Sequence, residues 1–76
     1  LMATPSWREE RLYLTDRERE VLTWCAAGKS TWDICMILGI SESTVKFHLK
    51  KVFVKLGTQN RQAAIVKALF KGLINL

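Results

Sequence analysis

The stretch that decides the fold is Ser30 to Gly57, STWDICMILGISESTVKFHLKKVFVKLG. It contains two helix-like patterns with only Gly39-Ile40 between the end of one and the next capping residue, Ser41. A serine, aspartate or asparagine starts a helix because its side-chain oxygen accepts a free N–H of the first turn. A glycine just past the pattern supplies the left-handed residue that ends one. The stretch therefore predicts helices over 31–38 and 42–56, and so short a joint makes them turn sharply against each other. That is helix-turn-helix geometry.

The same punctuation extends to both sides. Gly28, Gly39, Gly57 and Gly72 each follow a helix-like pattern, so four helix ends are expected. Thr15 with Glu18 three residues later is a capping box, Ser30 with Asp33 a weaker version, and Asn60 a good N-cap by type. The predicted helices are 16–27, 31–38, 42–56 and 61–71, with no strand indicated: an all-α, four-helix bundle containing a helix-turn-helix. Val21, Leu22, Cys25 and Ala26 mark the inward side of the first helix, and Ile34, Ile37 and Leu38 that of the second. The helical domain spans 14–76. Residues 1–13, with the sole proline Pro5 and no clear period, read as an interdomain linker whose Trp7 packs against the domain.

A chain of 76 residues is one domain at most. Such a domain buries only roughly 60% of its unfolded surface, which disfavours a deep substrate cleft. The longest unbroken aliphatic and sulfur-containing run, Ile34 to Leu38, is far short of the roughly 20 residues that a membrane helix needs. Cys25 and Cys35 are expected to be reduced core thiols of a cytoplasmic protein. With His48 the one histidine, the sequence implies neither a disulfide scaffold nor a metal site. His48 lies at the border of a core stripe, and no serine, cysteine or carboxylate is placed to partner it as nucleophile or acid. No catalytic residue and no cofactor is expected. No secretory signal is visible, and the start at Leu1 rather than Met suggests a piece of something longer.

Charge points to a partner. The net charge of +5 divides into −2 over residues 1–42 and +7 over residues 43–76, where no acidic side chain occurs. Along the third helix, Val45, Leu49, Val52 and Leu56 fall within an arc of roughly 60°, a core stripe with Phe53 at its edge. Opposite lie Ser43, Phe47, Lys50 and Val54, flanked by Lys46 and Lys51. One reading is that Lys46, Lys50, Lys51 and Lys55 only keep the helix soluble. Against it stand an aromatic between lysines and the lack of an acidic partner at i+3 or i+4. Duplex DNA is a polyanion whose major groove admits a helix, so these lysines suit phosphates or guanine acceptors, and Phe47 a thymine methyl.

The fourth helix carries two apolar stripes. Ala64, Ile65 and Ala68, with Leu69 at the edge, suit the core; Gln62, Ala63, Val66 and Phe70 collect on the other side, and Lys67 and Lys71 fill the gap. A second stripe needs a second partner. Either it covers the linker, through Trp7 or Tyr13, or it pairs with its own copy in an isologous dimer.

The runs Leu14-Thr15-Asp16-Arg17-Glu18-Arg19-Glu20-Val21-Leu22, Gly28-Lys29-Ser30, Ile37-Leu38-Gly39-Ile40-Ser41-Glu42, Thr44-Val45-Lys46-Phe47-His48-Leu49, Lys55-Leu56-Gly57 and Asn60-Arg61 closely resemble the C-terminal DNA-binding domain of LuxR-family transcription regulators. The resemblance covers nearly all of residues 14–74. It implies double-stranded DNA as partner, with base contacts at Lys46, Phe47 and Lys50. It implies backbone contacts at Ser30, Thr31, Ser43, Thr44, Lys51, Lys55, Asn60 and Arg61. It also favours the homodimer, on inverted-repeat promoter DNA, through Gln62, Ala63, Val66 and Phe70.

Two branches of the family compete. Trp24, Trp32, Val45-Lys46-Phe47-His48 and Gly72-Leu73-Ile74 look more like the acyl-homoserine-lactone (quorum-sensing) receptors than the response regulators, and the signal would bind a further N-terminal domain. A sigma-factor-like module docking on RNA polymerase is the remaining alternative. The sequence departs from the family pattern at Thr58, where an apolar residue commonly follows the glycine, and at Cys35, where alanine is frequent.

Overall fold

The computed structural model describes residues 13–75. Four helices follow in order: α1 (Asp16–Ala26), α2 (Thr31–Leu38), α3 (Glu42–Leu56) and α4 (Arg61–Phe70), with no strand among the described residues. The expected helices hold, α1 and α4 each one residue shorter at the C-terminal end. The expected linker and its Trp7 lie outside the described residues, except for Tyr13.

The caps form as the residue types dictate. Glu18 N–H donates to Thr15 Oγ1 at 3.1 Å, and Thr15 N–H donates back to Glu18 Oε1 at 3.0 Å. The second box is no weaker: Asp33 N–H reaches Ser30 Oγ at 3.1 Å and Ser30 N–H reaches Asp33 Oδ2 at 3.0 Å. The Ser30 N–H first, and the Ser30 hydroxyl after it, hold the Asp33 carboxyl below its ordinary pKa. The tight joint depends on Gly39, at φ 68°, from which the Gly39 and Ile40 N–H groups both donate to Cys35 O. A side chain there would be strained in that left-handed conformation.

Helix α3 runs through the middle and packs on all three others. Val45, Leu49, Val52 and Leu56 are buried against Val21, Leu22 and Cys25 of α1, Ile34 of α2, and Ala64 and Ala68 of α4, with Leu14 and Ile74 closing the ends. The two alanines leave room for a close α3–α4 approach. Ile37 corrects the expected inward face of α2, being 45% exposed. An eight-residue helix has one position at the centre of its contact, here Ile34. Leu38 and Ile37 flank it at about 40° and 60° on opposite sides. The helix rolls toward Leu38, which packs on the core, and leaves Ile37 out. Cys25 is buried and Cys35 half-buried, both free thiols; burial pushes the Cys25 thiol pKa up, with nearby Arg61 opposing.

Candidate nucleic-acid interface

The starts of α2 and α4 converge on one side of α3. Thr31, Lys46, Lys50, Asn60, Arg61 and Gln62 line a groove of 510 Å³, with Leu49 and Phe53 at its floor. No carboxylate lines it. Residues up to 31 positions apart in sequence thus meet as one basic surface. Arg61 joins two of its edges: Nη2 donates to Thr31 Oγ1 and Nη1 to Lys29 O at 3.3 Å, tying the start of α4 to the start of α2. Asn60 Oδ1 is occupied by the Ala63 N–H at 2.9 Å as the α4 cap.

At the start of α3, Ser41 Oγ accepts the Thr44 N–H at 3.1 Å and lies 3.1 Å from Ser43 Oγ and 2.8 Å from Thr44 Oγ1. The result is a knot of exposed hydroxyls at a helix N-terminus, where the backbone dipole favours an anion. Farther along, Phe47, Lys50 and Lys51 stand on the exposed face, and neither lysine forms an ion pair among the described residues.

Two lysines depart from what the sequence suggested. Lys46 has an acidic partner, Glu42, at 3.2 Å and four residues N-terminal rather than C-terminal to it, a favourable order along a helix. Both side chains are largely exposed, so the pair is weak, about 0.3–0.5 kcal/mol, and costs little to open.

Lys55 differs more. Its Nζ lies 2.6 Å from Glu18 Oε1 and donates to Tyr13 O at 3.1 Å. Glu18 is only 2% exposed. Burial alone would raise the pKa of that carboxyl; Lys55 and the Thr15 N–H together outweigh burial and hold it below the ordinary glutamate range. The Lys55 ammonium is therefore committed to the core side of the domain, not displayed with the other three. Sequence reading identified Glu18 as a cap and missed its second role, because its partner is 37 residues away.

The profile described as "Bacterial regulatory proteins, luxR family" matches residues 12–68. The chain belongs to the LuxR family. Its helix-turn-helix is the DNA-binding domain of a transcription regulator. Over 62 residues, 82% of this chain and 25% of the relative, it is 56% identical to the transcriptional activator protein LuxR of Aliivibrio fischeri. It is equally similar, 56% over 63 residues (83% of this chain, 26% of the relative), to the quorum sensing-dependent transcriptional regulator RpaR of Rhodopseudomonas palustris.

Among solved structures of the family fold, the transcription factor GerE superimposes with a TM-score of 0.78 at 40% identity, covering 82% of this chain and 92% of that one. The response regulator ChrA of a heme-sensing two-component system gives 0.78 at 44% identity, covering 80% of this chain and 30% of that one. The LuxR-family chain described here spans about a quarter of the length of the curated relatives it matches.

On α4, Gln62, Ala63, Val66 and Phe70 are all exposed, and with Thr58, Lys67 and Lys71 they line a shallow depression of 610 Å³. Phe70 is 92% exposed, so Tyr13 does not cover it; Trp7, the other cover considered, lies outside the described residues. No helix of the described residues is long and apolar enough to cross a membrane, and no group of three or more His, Cys, Asp or Glu among them is placed to hold a metal.

Proposed function

We propose that this domain binds inverted-repeat promoter DNA as a homodimer, with α3 in the major groove of each half-site. Lys46, Phe47 and Lys50 meet base edges, while Ser30, Thr31, Ser43, Thr44, Lys51, Asn60 and Arg61 hold phosphates. The observation that carries the reading is the carboxylate-free groove where Thr31, Lys46, Lys50, Asn60 and Arg61 converge. Phosphates bound there set the register in which α3 meets the bases. Lys55, expected from the resemblance to contact the backbone as well, is assigned instead to holding α3 on α1.

The exposed α4 stripe of Gln62, Ala63, Val66 and Phe70 pairs with its copy, which sets two half-sites about 10 base pairs apart. The full regulator is proposed to carry an N-terminal domain for an acyl-homoserine lactone and to work in the cytoplasm. The similarity to LuxR and RpaR, and the short span of those relatives that the chain covers, support this. A second reading, the output domain of a response regulator, is favoured by the equal superposition on ChrA. Trp32, Met36 and Ile37, exposed on α2, lie outside the proposed DNA and dimer surfaces.

Titrating the chain onto a labelled inverted repeat at low salt tests the proposal. Saturation at two chains per duplex is expected, with a steep loss of affinity as salt rises. Absence of binding in low salt overturns it. Phe70→Ala should leave the melting temperature unchanged and convert the two-chain complex to independent single-site binding; unchanged cooperativity would remove α4 as the dimer surface.

A further inference from the structure

Val54 has no part in the reading above, yet it is 76% exposed on a helix whose other valines, Val45 and Val52, are fully buried. It stands seven residues beyond Phe47. At 3.6 residues per turn that returns to within about 20° of the same line, about 10.5 Å farther along the helix. Lys50 falls about 60° to one side of that line and Lys51 about 40° to the other.

Phe47, Lys50, Lys51 and Val54, with Lys55 at the far end, line a trough of 360 Å³ whose surface is mostly apolar. The Phe47 ring is held in place on its lip. Its edge meets the His48 imidazole, centroids 5.6 Å apart and planes at 65°, and Lys51 Nζ lies 5.3 Å from the ring centroid.

An apolar floor between ammonium groups is a poor match to phosphate alone. Of the groups that base edges present in the major groove, the apolar one is the C5-methyl of thymine. We infer that the Phe47–Val54 trough reads two thymine methyls in each half-site and that Val54 is a specificity-determining residue. The inference rests on the proposal that α3 lies in the major groove. A helix lying along the groove runs obliquely to the duplex axis, so at about 3.4 Å of rise per base step a separation of about 10.5 Å places the two methyls about two to three steps apart. Lys50 and Lys51, on either flank, serve the acceptors and phosphates beside them.

The test starts with selection of bound sequences from a duplex library randomised across both half-sites. Each thymine of the selected site is then replaced singly by deoxyuridine, which removes the methyl and keeps the pairing edge. A loss of about fourfold is expected at two thymines about two to three steps apart in each half-site, the factor given by about 0.8 kcal/mol per buried carbon.

Val54→Ala should abolish the sensitivity at one of these thymines and Phe47→Ala at the other, with unchanged melting temperatures. If a sequence is selected but deoxyuridine is tolerated at every thymine, methyl reading is overturned while groove binding stands. If the sensitivity survives Val54→Ala, the role of Val54 is overturned. If no sequence is enriched, the proposed function fails first and takes this inference with it.

Discussion

The two flanks of α3 carry the same kind of ion pair to different ends. Lys46 and Lys55 both lie about 90° from the centre of the core stripe, on opposite sides, so helical periodicity treats them alike. Lys46 meets Glu42 of its own helix at 3.2 Å with side chains 67% and 61% exposed. Lys55 meets Glu18 of α1 at 2.6 Å with side chains 29% and 3% exposed. A solvated pair exchanges one set of good contacts for another, and its net energy is small. A desolvated pair has no water to fall back on, so removing one partner strands the other. The first flank is the one left free for the proposed DNA contact; the second fixes where α3 sits and, through Tyr13 O, where the chain enters the domain.

The largest effect that separates the flanks is expected from Lys55→Ala. Stranding the Glu18 carboxylate should lower the unfolding free energy by about 3 kcal/mol, read from the urea midpoint. The salt dependence of DNA binding by the folded variant should not change. A flattened slope without loss of stability would return Lys55 to the phosphate-binding set that the sequence suggested.

Acid attacks the same contact. The Glu18 pKa is lower in the folded than in the unfolded state, so the stability it contributes is complete above the ordinary glutamate range. That contribution is lost as the pH falls from there through the folded value. Urea midpoints measured against pH should show this acid limb in the parent chain and a shallower one in Lys55→Ala.

On the other flank, Lys46→Ala should leave stability within about 0.5 kcal/mol, since only an exposed pair is lost. It should instead reduce the preference for selected over random DNA by about 1–3 kcal/mol, measured by competition binding. Equal loss on both DNAs would make Lys46 a phosphate contact.

The smallest effect concerns Thr58, where α3 hands over to α4. Its N–H donates to Phe53 O at 2.9 Å, but its Oγ1 is buried without a hydrogen-bond partner. Thr58→Val keeps the shape and removes that hydroxyl, and should raise the unfolding free energy by about 1 kcal/mol. No gain would mean that the hydroxyl finds a partner in solution.

The Thr58 contact also marks the limit of sequence reading. Its departure from the family pattern was visible in the sequence; the cost of an unpaired hydroxyl was not, because burial at that point depends on how α3 and α4 close together. Ile37 shows the same limit in a short helix, where a roll of a few tens of degrees decides which of two flanking residues faces the core.

Local chemistry, legible along the chain, sets the helix ends and the buried face of α3. Thr15, Ser30, Ser41 and Asn60 start the helices, the glycines end them, and Val45, Leu49, Val52 and Leu56 declare the buried face of α3. Each depends on neighbours within about two helical turns, where spacing alone sets geometry. Which charges are free is settled only when the helices pack. Glu18 and Lys55, or Arg61 and Thr31, are brought together by packing across 37 and 30 positions of chain. The energy of such a pair is set by how much water the fold excludes around it, a quantity that no local pattern encodes.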